Sequence, residues 1–390
     1  MKMSISHGDR LVNNKKKILF LTGTRADFGK LKSLIRITES IDSLSSRVFV
    51  TGMHMLKRYG STFKEVEESG FQNIHKYINQ HINEPMEMVL ASTIHGLSRY
   101  VHETSPDMIV VHGDRVEALA GAIVGSMNNI LVAHIEGGER SGTIDELIRH
   151  SVTKLAHIHL VSNEEARKRV VQMGEAEETV FVIGSADIDF MKDSTKLPSL
   201  DMVKKHYDIP YEKYHIVMFH PVTTEVDEMA KYANNLVDAL LESDNNYVVI
   251  YPNNDHGTNE ILNAYQRLEN NPRFKIYPSI RFEYFLTLIH HANSLIGNSS
   301  AGIREAPIFG VPSINIGTRQ DSRFKHESII DCDYKKQDIL ACINKFEGEF
   351  FRYVTCQYFG NGNSAEEFSK LLQNSEIWSV SPQKKFVDYL

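Results

Sequence analysis

The sequence predicts an α/β protein of two Rossmann-like, doubly wound domains that face each other across a cleft. Short continuous apolar runs alternate with helical patterns, as in βαβ units on a parallel sheet. The alternation pauses at 198–210, a stretch bounded by Pro198 and Pro210, and then restarts. The chain has 390 residues, enough for two domains with separate cores. Two successive halves of this kind enclose a cleft at their strand ends.

The elements follow in order. Residues 1–16 are polar and basic and read as a disordered lead. Its Ser6-His7-Gly8-Asp9-Arg10 repeats a later His-Gly-Asp-Arg by coincidence, since no apolar strand precedes it. The N-terminal domain spans 17–197, with strands at 17–21, 47–50, 108–111, 130–134, 157–161 and 180–183; such runs suit strands buried on both faces. A linker with a short helix follows. The C-terminal domain, 198–364, carries strands at 215–219, 247–251, 274–277, 294–296, 312–316 and 328–330. A helical tail, 365–390, packs Trp378, Phe386 and Leu390 against a domain surface.

Composition narrows the function. The chain is 42% hydrophobic and 24% charged, with a formal net charge of -7. That balance argues against a general nucleic-acid or membrane-surface binder. No secretory signal and no run of membrane-spanning length is visible. Three cysteines without CxxC spacing provide neither a disulfide framework nor a zinc site, so a reduced, cytoplasmic setting is expected. The histidines lack companions at ligand spacing, and no metal site is expected.

The first strand ends in Thr22-Gly23-Thr24-Arg25-Ala26-Asp27-Phe28-Gly29-Lys30. The phosphate-loop pattern fails here, because five residues separate Gly23 from Gly29 and Leu31 stands where Ser or Thr belongs. The dinucleotide pattern fails because Arg25 replaces its second glycine.

Three acids are the candidate catalytic groups: Asp114 after the strand at 108–111, Glu136 after the strand at 130–134, and Asp145 just inside the next helix. Each alone has a plain explanation. Asp114 suits a salt bridge or a cap. A buried Glu136 needs a partner or a use. Asp145 lies in the first turn of a helix opened by a Thr143–Glu146 capping box, where negative charge is favoured. Together at adjacent strand ends they suggest a site, because clustered carboxylates drive their pKa values apart and furnish an acid and a base at one pH.

A second constellation runs from Gly297 to Pro307: a strand, a turn with Ser299 and Ser300, then a helix bearing Glu305. Free amides, hydroxyls and a helix dipole would suit a diphosphate, and Glu305 could accept from ribose hydroxyls. His220, Asn253 and Arg319 end three other strands of the second half and are further candidates.

These stretches resemble the hydrolysing UDP-N-acetylglucosamine 2-epimerase family, its bacterial sialic-acid branch above all, from about Lys17 to the C-terminus. The motifs are TGTRADFGKL, TGMHM, HGDRVEALAG, HIEGGERSGTIDELIRHSVTKLAHIHLV, FHPVTTE, YPNND, IGNSSAGIREAP, GVPSINIGTRQ and PQKKF. The resemblance implies a GT-B-like pair of domains. It implies cleavage of UDP-N-acetylglucosamine to UDP and N-acetylmannosamine with inversion at C2, needing no cofactor and no metal, in a homodimer or homotetramer. It implies catalytic roles for Asp114, Glu136 and Asp145, and UDP contacts at Arg25, Gly29, Arg115, His220, Asn253, Ile280, Ser299, Ser300, Glu305 and Arg319. The animal relative has an added kinase domain for which this chain leaves no room, so sugar phosphorylation is not expected. Which acid takes the proton stays open; Glu136 or Asp114 suits C2, and Asp145 suits the water at C1. Alternatives are a UDP-2,4-diacetamido-trideoxy sugar substrate, a non-hydrolysing epimerase, a GT-B glycosyltransferase and a UDP-sugar sensor. The last two have no need of three carboxylates beside C2.

Overall fold

The computed structural model describes residues 15–388, apart from 142, 193–196, 322 and 347–349. Two parallel sheets form the frame. The first joins β1 (Lys16–Thr22), β2 (Leu44–Val50), β3 (Ile74–Lys76), β4 (Met108–His112), β5 (Leu131–Ile135), β6 (Ile158–Val161) and β7 (Val180–Val182) in the order β3-β2-β1-β4-β5-β6-β7. The second joins β8 (His215–Met218), β9 (Tyr247–Ile250), β10 (Phe274–Tyr277), β11 (Leu295–Gly297), β12 (Ser313–Ile316) and β13 (Ile329–Cys332) in the order β10-β9-β8-β11-β12-β13. Strand order reverses beside β1 in the first sheet and beside β8 in the second, and such switch points open the crevice where ligands bind.

The apolar runs form central strands because helices cover both faces. Met108, Ile109, Val110 and Val111 of β4 are all fully buried, and each such side chain stabilises the fold by about 1.5–3 kcal/mol. One additional strand, β3, is short and half-buried at the sheet edge. Its sequence, Ile74-His75-Lys76, is too short and too polar to show an alternation.

The chain passes between the two cores twice. Ile183 and Ala186 belong to the first core, while Ile188 onward packs with the second; Phe359 lies in the second and Phe368 in the first. The passages touch, Ser185 N–H donating to Phe359 O at 2.8 Å. Asp189 accepts from the backbone N–H groups of Ser364 and Ala365, both at 2.9 Å.

The expected lead lies outside the described residues apart from Lys15 and Lys16. The tail departs from a single helix. A helix spans Ser364–Gln373 and a 3₁₀ segment Ser375–Ser379, and no helix follows to residue 388. Pro382 lacks the N–H a helix needs, and Lys384 is drawn to the carbonyls of Thr153, Lys154 and Ala156. Ile377 packs into the first core with Phe368 and Leu372. Phe386 is exposed, and Leu390 lies outside the described residues.

Candidate active site

Register places the first two acids together. His112 pairs with Ile135 at the carboxyl ends of β4 and β5, so Asp114 and Glu136 leave the sheet side by side. Glu136 holds a left-handed backbone, φ 62°, a conformation that costs a non-glycine residue about 1–2 kcal/mol and persists where its surroundings fix it. They do so here. Its N–H donates to Leu160 O at 2.9 Å, and its O accepts from Arg149 Nη1 at 2.5 Å. Its carboxylate meets Arg304 Nη2 at 2.6 Å, Lys30 Nζ at 3.4 Å, His112 Nε2 at 3.2 Å, and the Ser185 hydroxyl.

Asp114 accepts from Ser141 Oγ at 2.9 Å and is ion-paired to Arg149. Asp145 lies in the first turn of the helix Thr143–Leu155 and meets Arg319 Nη2 at 3.1 Å. The Thr143 side chain of the expected capping box lies outside the described residues.

Environment separates the three. Burial pushes every carboxyl up. At Asp114 the Arg149 and Arg323 guanidinium groups outweigh burial and hold it well below the usual range. Arg304 and Lys30 do the same for Glu136. Asp145 moves the other way: burial and then the Asp114 carboxylate push it up to about 6, against Arg319. One acid thus exchanges protons near neutrality beside two fixed negative charges.

The opposite wall comes from the second sheet. Asn298 accepts from the His220 N–H at 2.6 Å and donates from Nδ2 to His220 O at 2.9 Å. His220 Nδ1 accepts from Asn253 N–H at 3.0 Å. Burial, then Arg319 and Arg115, keep this imidazole neutral, which leaves its proton on Nε2 as a donor. Ser299 caps a 3₁₀ turn, Ser300–Gly302, and a four-residue helix, Glu305–Ile308, follows. The helix expected after the turn is confined to these four residues, so its dipole adds little. Gly310 at φ 65° and Pro312 end the segment early, and the donors that remain are the hydroxyls and turn amides. Glu305 is buried, and burial pushes its carboxyl up despite Lys30.

Asp114, Glu136, Asp145, Arg25, Arg115, His220, Asn253, Ile280, Ser299, Ser300, Glu305 and Arg319 all line one cavity of about 290 Å³ between the sheets. Gly29 does not. It lies in the helix Arg25–Glu39, where an added Cβ would stand 2.3 Å from the Phe282 ring. Residues 25 and 115 also tie the domains together: Arg25 Nη1 reaches Ser279 Oγ at 2.8 Å, and Arg115 reaches Asp255 at 3.3 Å and Asn254 at 3.0 Å.

Sequence reasoning missed Lys30, Arg149, Arg304 and Arg323, which line the same cavity. Arg149 had a signal, one helical turn after Asp145 on the same face. Seven Lys and Arg side chains line the cavity, and guanidinium groups with the Ser299 and Ser300 hydroxyls suit an anion such as a diphosphate ester. Among the described residues, no group of three or more His, Cys, Asp or Glu side chains is placed to hold a metal, and no helix is long and apolar enough to cross a membrane.

Fold and site define a two-domain α/β protein with a carboxylate cluster facing a wall of serine hydroxyls, a neutral imidazole and guanidinium groups. Residues 37–373 match the model of the UDP-N-acetylglucosamine 2-epimerase family, and the chain belongs to that family. It is 51% identical to the UDP-N-acetylglucosamine 2-epimerase of Neisseria meningitidis serogroup B, over 96% of this chain and 99% of the relative. It is 34% identical to the polysialic acid biosynthesis protein P7 of Escherichia coli, over 86% and 87%. A third relative, the hydrolysing UDP-N,N'-diacetylbacillosamine 2-epimerase of Legionella pneumophila, is 30% identical over 93% and 97%. The same fold occurs in the Methanocaldococcus jannaschii UDP-GlcNAc 2-epimerase in complex with UDP-GlcNAc and UDP, with a TM-score of 0.76, 23% identity and coverage of 91% and 99%.

Proposed function

We propose that this chain converts UDP-N-acetylglucosamine and water to UDP and free N-acetylmannosamine, for sialic-acid synthesis. The observation that carries the reading is Asp145, poised to about 6 beside an ionised Asp114 in a cavity lined by seven Lys and Arg side chains. The meningococcal and polysialic-acid relatives support the substrate and pathway, and the Legionella relative supports hydrolysis.

In the proposed mechanism UDP binds between the two walls, its phosphates on Ser299, Ser300, His220 Nε2 and Arg319, its ribose on Glu305 and its uracil beside Ile280. Elimination breaks the C1–O bond and the C2–H bond; UDP leaves with the electron pair and 2-acetamidoglucal forms. The proton passes to Glu136 or Asp114. Bound diphosphate raises the proton affinity of both, since a nearby negative charge disfavours a second. Asp145, ionised above about 6, takes a proton from the water that adds at C1. As the water oxygen bonds to C1, the C1–C2 double-bond pair takes up a solvent-derived proton at C2 on the opposite face, and the protons held by the carboxylates return to solvent.

Purified protein given UDP-N-acetylglucosamine in deuterium oxide tests this by NMR. Free UDP with N-acetylmannosamine deuterated at C2 is expected. UDP-N-acetylmannosamine, or a product without deuterium at C2, would overturn the mechanism. The Legionella relative favours a second reading, a UDP-2,4-diacetamido-trideoxy sugar substrate. The two sugars offered together would show which is consumed faster.

A further inference from the structure

Six of the seven cations lining the cleft are spoken for. Arg25 meets Glu65, Lys30 meets Asp187, Arg115 meets Asp255, Arg304 meets Glu136 and Arg319 meets Asp145, none farther than 3.3 Å, and Arg149 is ion-paired to Asp114. Arg323 differs. Its side chain is 7% exposed, and its nearest ion-pair partner, Glu139, lies 4.0 Å away. Among the described residues its side chain's one hydrogen bond is Nη1 to Gln320 Oε1 at 2.7 Å. Gln320 is held in turn by its Nε2 on Asn298 O at 2.8 Å, so Arg323 is braced from the turn that carries Ser299. Burial and then Arg149 push this guanidinium down to about 10. A buried charge with unused donors facing a cavity is costly unless a ligand completes it.

We propose that Arg323 is a specificity residue that donates to the carbonyl oxygen of the sugar's 2-acetamido group. The inference rests on the reaction proposed above and deepens it. The carboxylates that handle the C2 proton must lie within reach of C2, and the acetamido nitrogen is bonded to C2. Arg323 lines the same cavity as Asp114 and Glu136, and the charges of Asp114 and Glu139 both act on it. Ser299, Ser300, His220 and Arg319 serve the phosphates in the proposed mechanism, which leaves Arg323 for a group attached at C2. A site built around a hydrogen bond to one group rejects the analogue that lacks it.

Arg323→Met and Arg323→Lys test this against UDP and UDP-glucose, which carries a hydroxyl at C2. For Arg323→Met, kcat/KM on UDP-N-acetylglucosamine is expected to fall about 100-fold or more. The Kd values for UDP and UDP-glucose, by calorimetry, should stay within about threefold, since they lack the acetamido group. Arg323→Lys should recover part of the loss. A Kd for UDP that rises in parallel would make Arg323 a phosphate ligand and overturn the proposal, as would an unchanged kcat/KM. Should Arg323→Met not fold, the Lys variant carries the same comparison. A wild type that turns over no UDP-N-acetylglucosamine defeats the reaction itself. Arg323 is then judged by binding alone: a wild-type preference for UDP-N-acetylglucosamine over UDP-glucose that is lost in the variant sustains it, and no preference, or one unchanged in the variant, overturns it.

Discussion

Asp145 Oδ2 and Arg319 Nη2 meet at 3.1 Å across the cleft, one from the helix after the first sheet's β5 and the other from the strand end after β12. Arg319 of the opposite wall thus opposes the burial and the Asp114 charge that raise this acid.

Asp145→Asn should lower turnover by about 100- to 10,000-fold, the usual contribution of a positioned acid or base. The amide still reaches Arg319, so UDP affinity should change by less than about threefold. Rates of UDP release and calorimetric titration with UDP separate the two effects. A variant with wild-type turnover would remove Asp145 from the reaction.

The pH dependence follows from the same carboxyl. Its reactive form is ionised, so kcat/KM should rise with pH through about 6 and level off above it. In Asp145→Asn that limb should vanish. Stability runs oppositely. A carboxyl whose folded pKa is raised binds its proton more tightly when folded, so its stabilisation is present below the unfolded value of 3.8 and is lost as pH rises to about 6. Replacing it by Asn should therefore raise the melting temperature at pH 7 relative to wild type and change it little at pH 4. Thermal melts at the two pH values check the sign.

Arg304 is buried between Glu136 and Glu139, bonded to both, and lies over the Phe359 ring at 4.6 Å. Arg304→Met would leave two buried carboxylates short of their partner, and such a loss destabilises by about 3–5 kcal/mol. The denaturant midpoint should fall accordingly. Arg304→Met with Glu136→Gln should lose less than the two single changes combined, because they share a partner.

Much of this site was legible in the sequence because strand ends are legible. An apolar run stopping at Gly113-Asp114 or at Glu136-Gly137 marks both a strand and the residue it delivers to the crevice. The cations were harder. Lys30 lies on a helix and Arg304 in a turn far from it in the chain, and only the folded sheets show both against Glu136. The turn after Gly297 was legible from its small and hydroxyl residues, but the shortness of the helix behind it was not, since Gly310 and Pro312 confine that helix to Glu305–Ile308. Gly29 shows the limit of carrying a role over by motif, because a glycine can be required by a ligand or by a neighbouring side chain.

Gly29→Ala decides that last case. An added methyl would stand 2.3–2.5 Å from Cγ, Cβ and Cδ1 of Phe282, closer than any side chain tolerates, and Phe282 belongs to the second domain's core. Either the helix Arg25–Glu39 or the Phe282 helix must shift, carrying Arg25, Lys30 or Ile280 with it. Overpacking of this kind costs about 1–3 kcal/mol. UDP affinity and turnover should both fall in Gly29→Ala. If packing is the cause, Phe282→Gly, which removes all three crowding atoms, should restore them in the double variant. If Gly29 instead touches the nucleotide, the double variant will bind UDP as poorly as Gly29→Ala alone. Calorimetric UDP affinities for the two single variants and the double variant separate these outcomes.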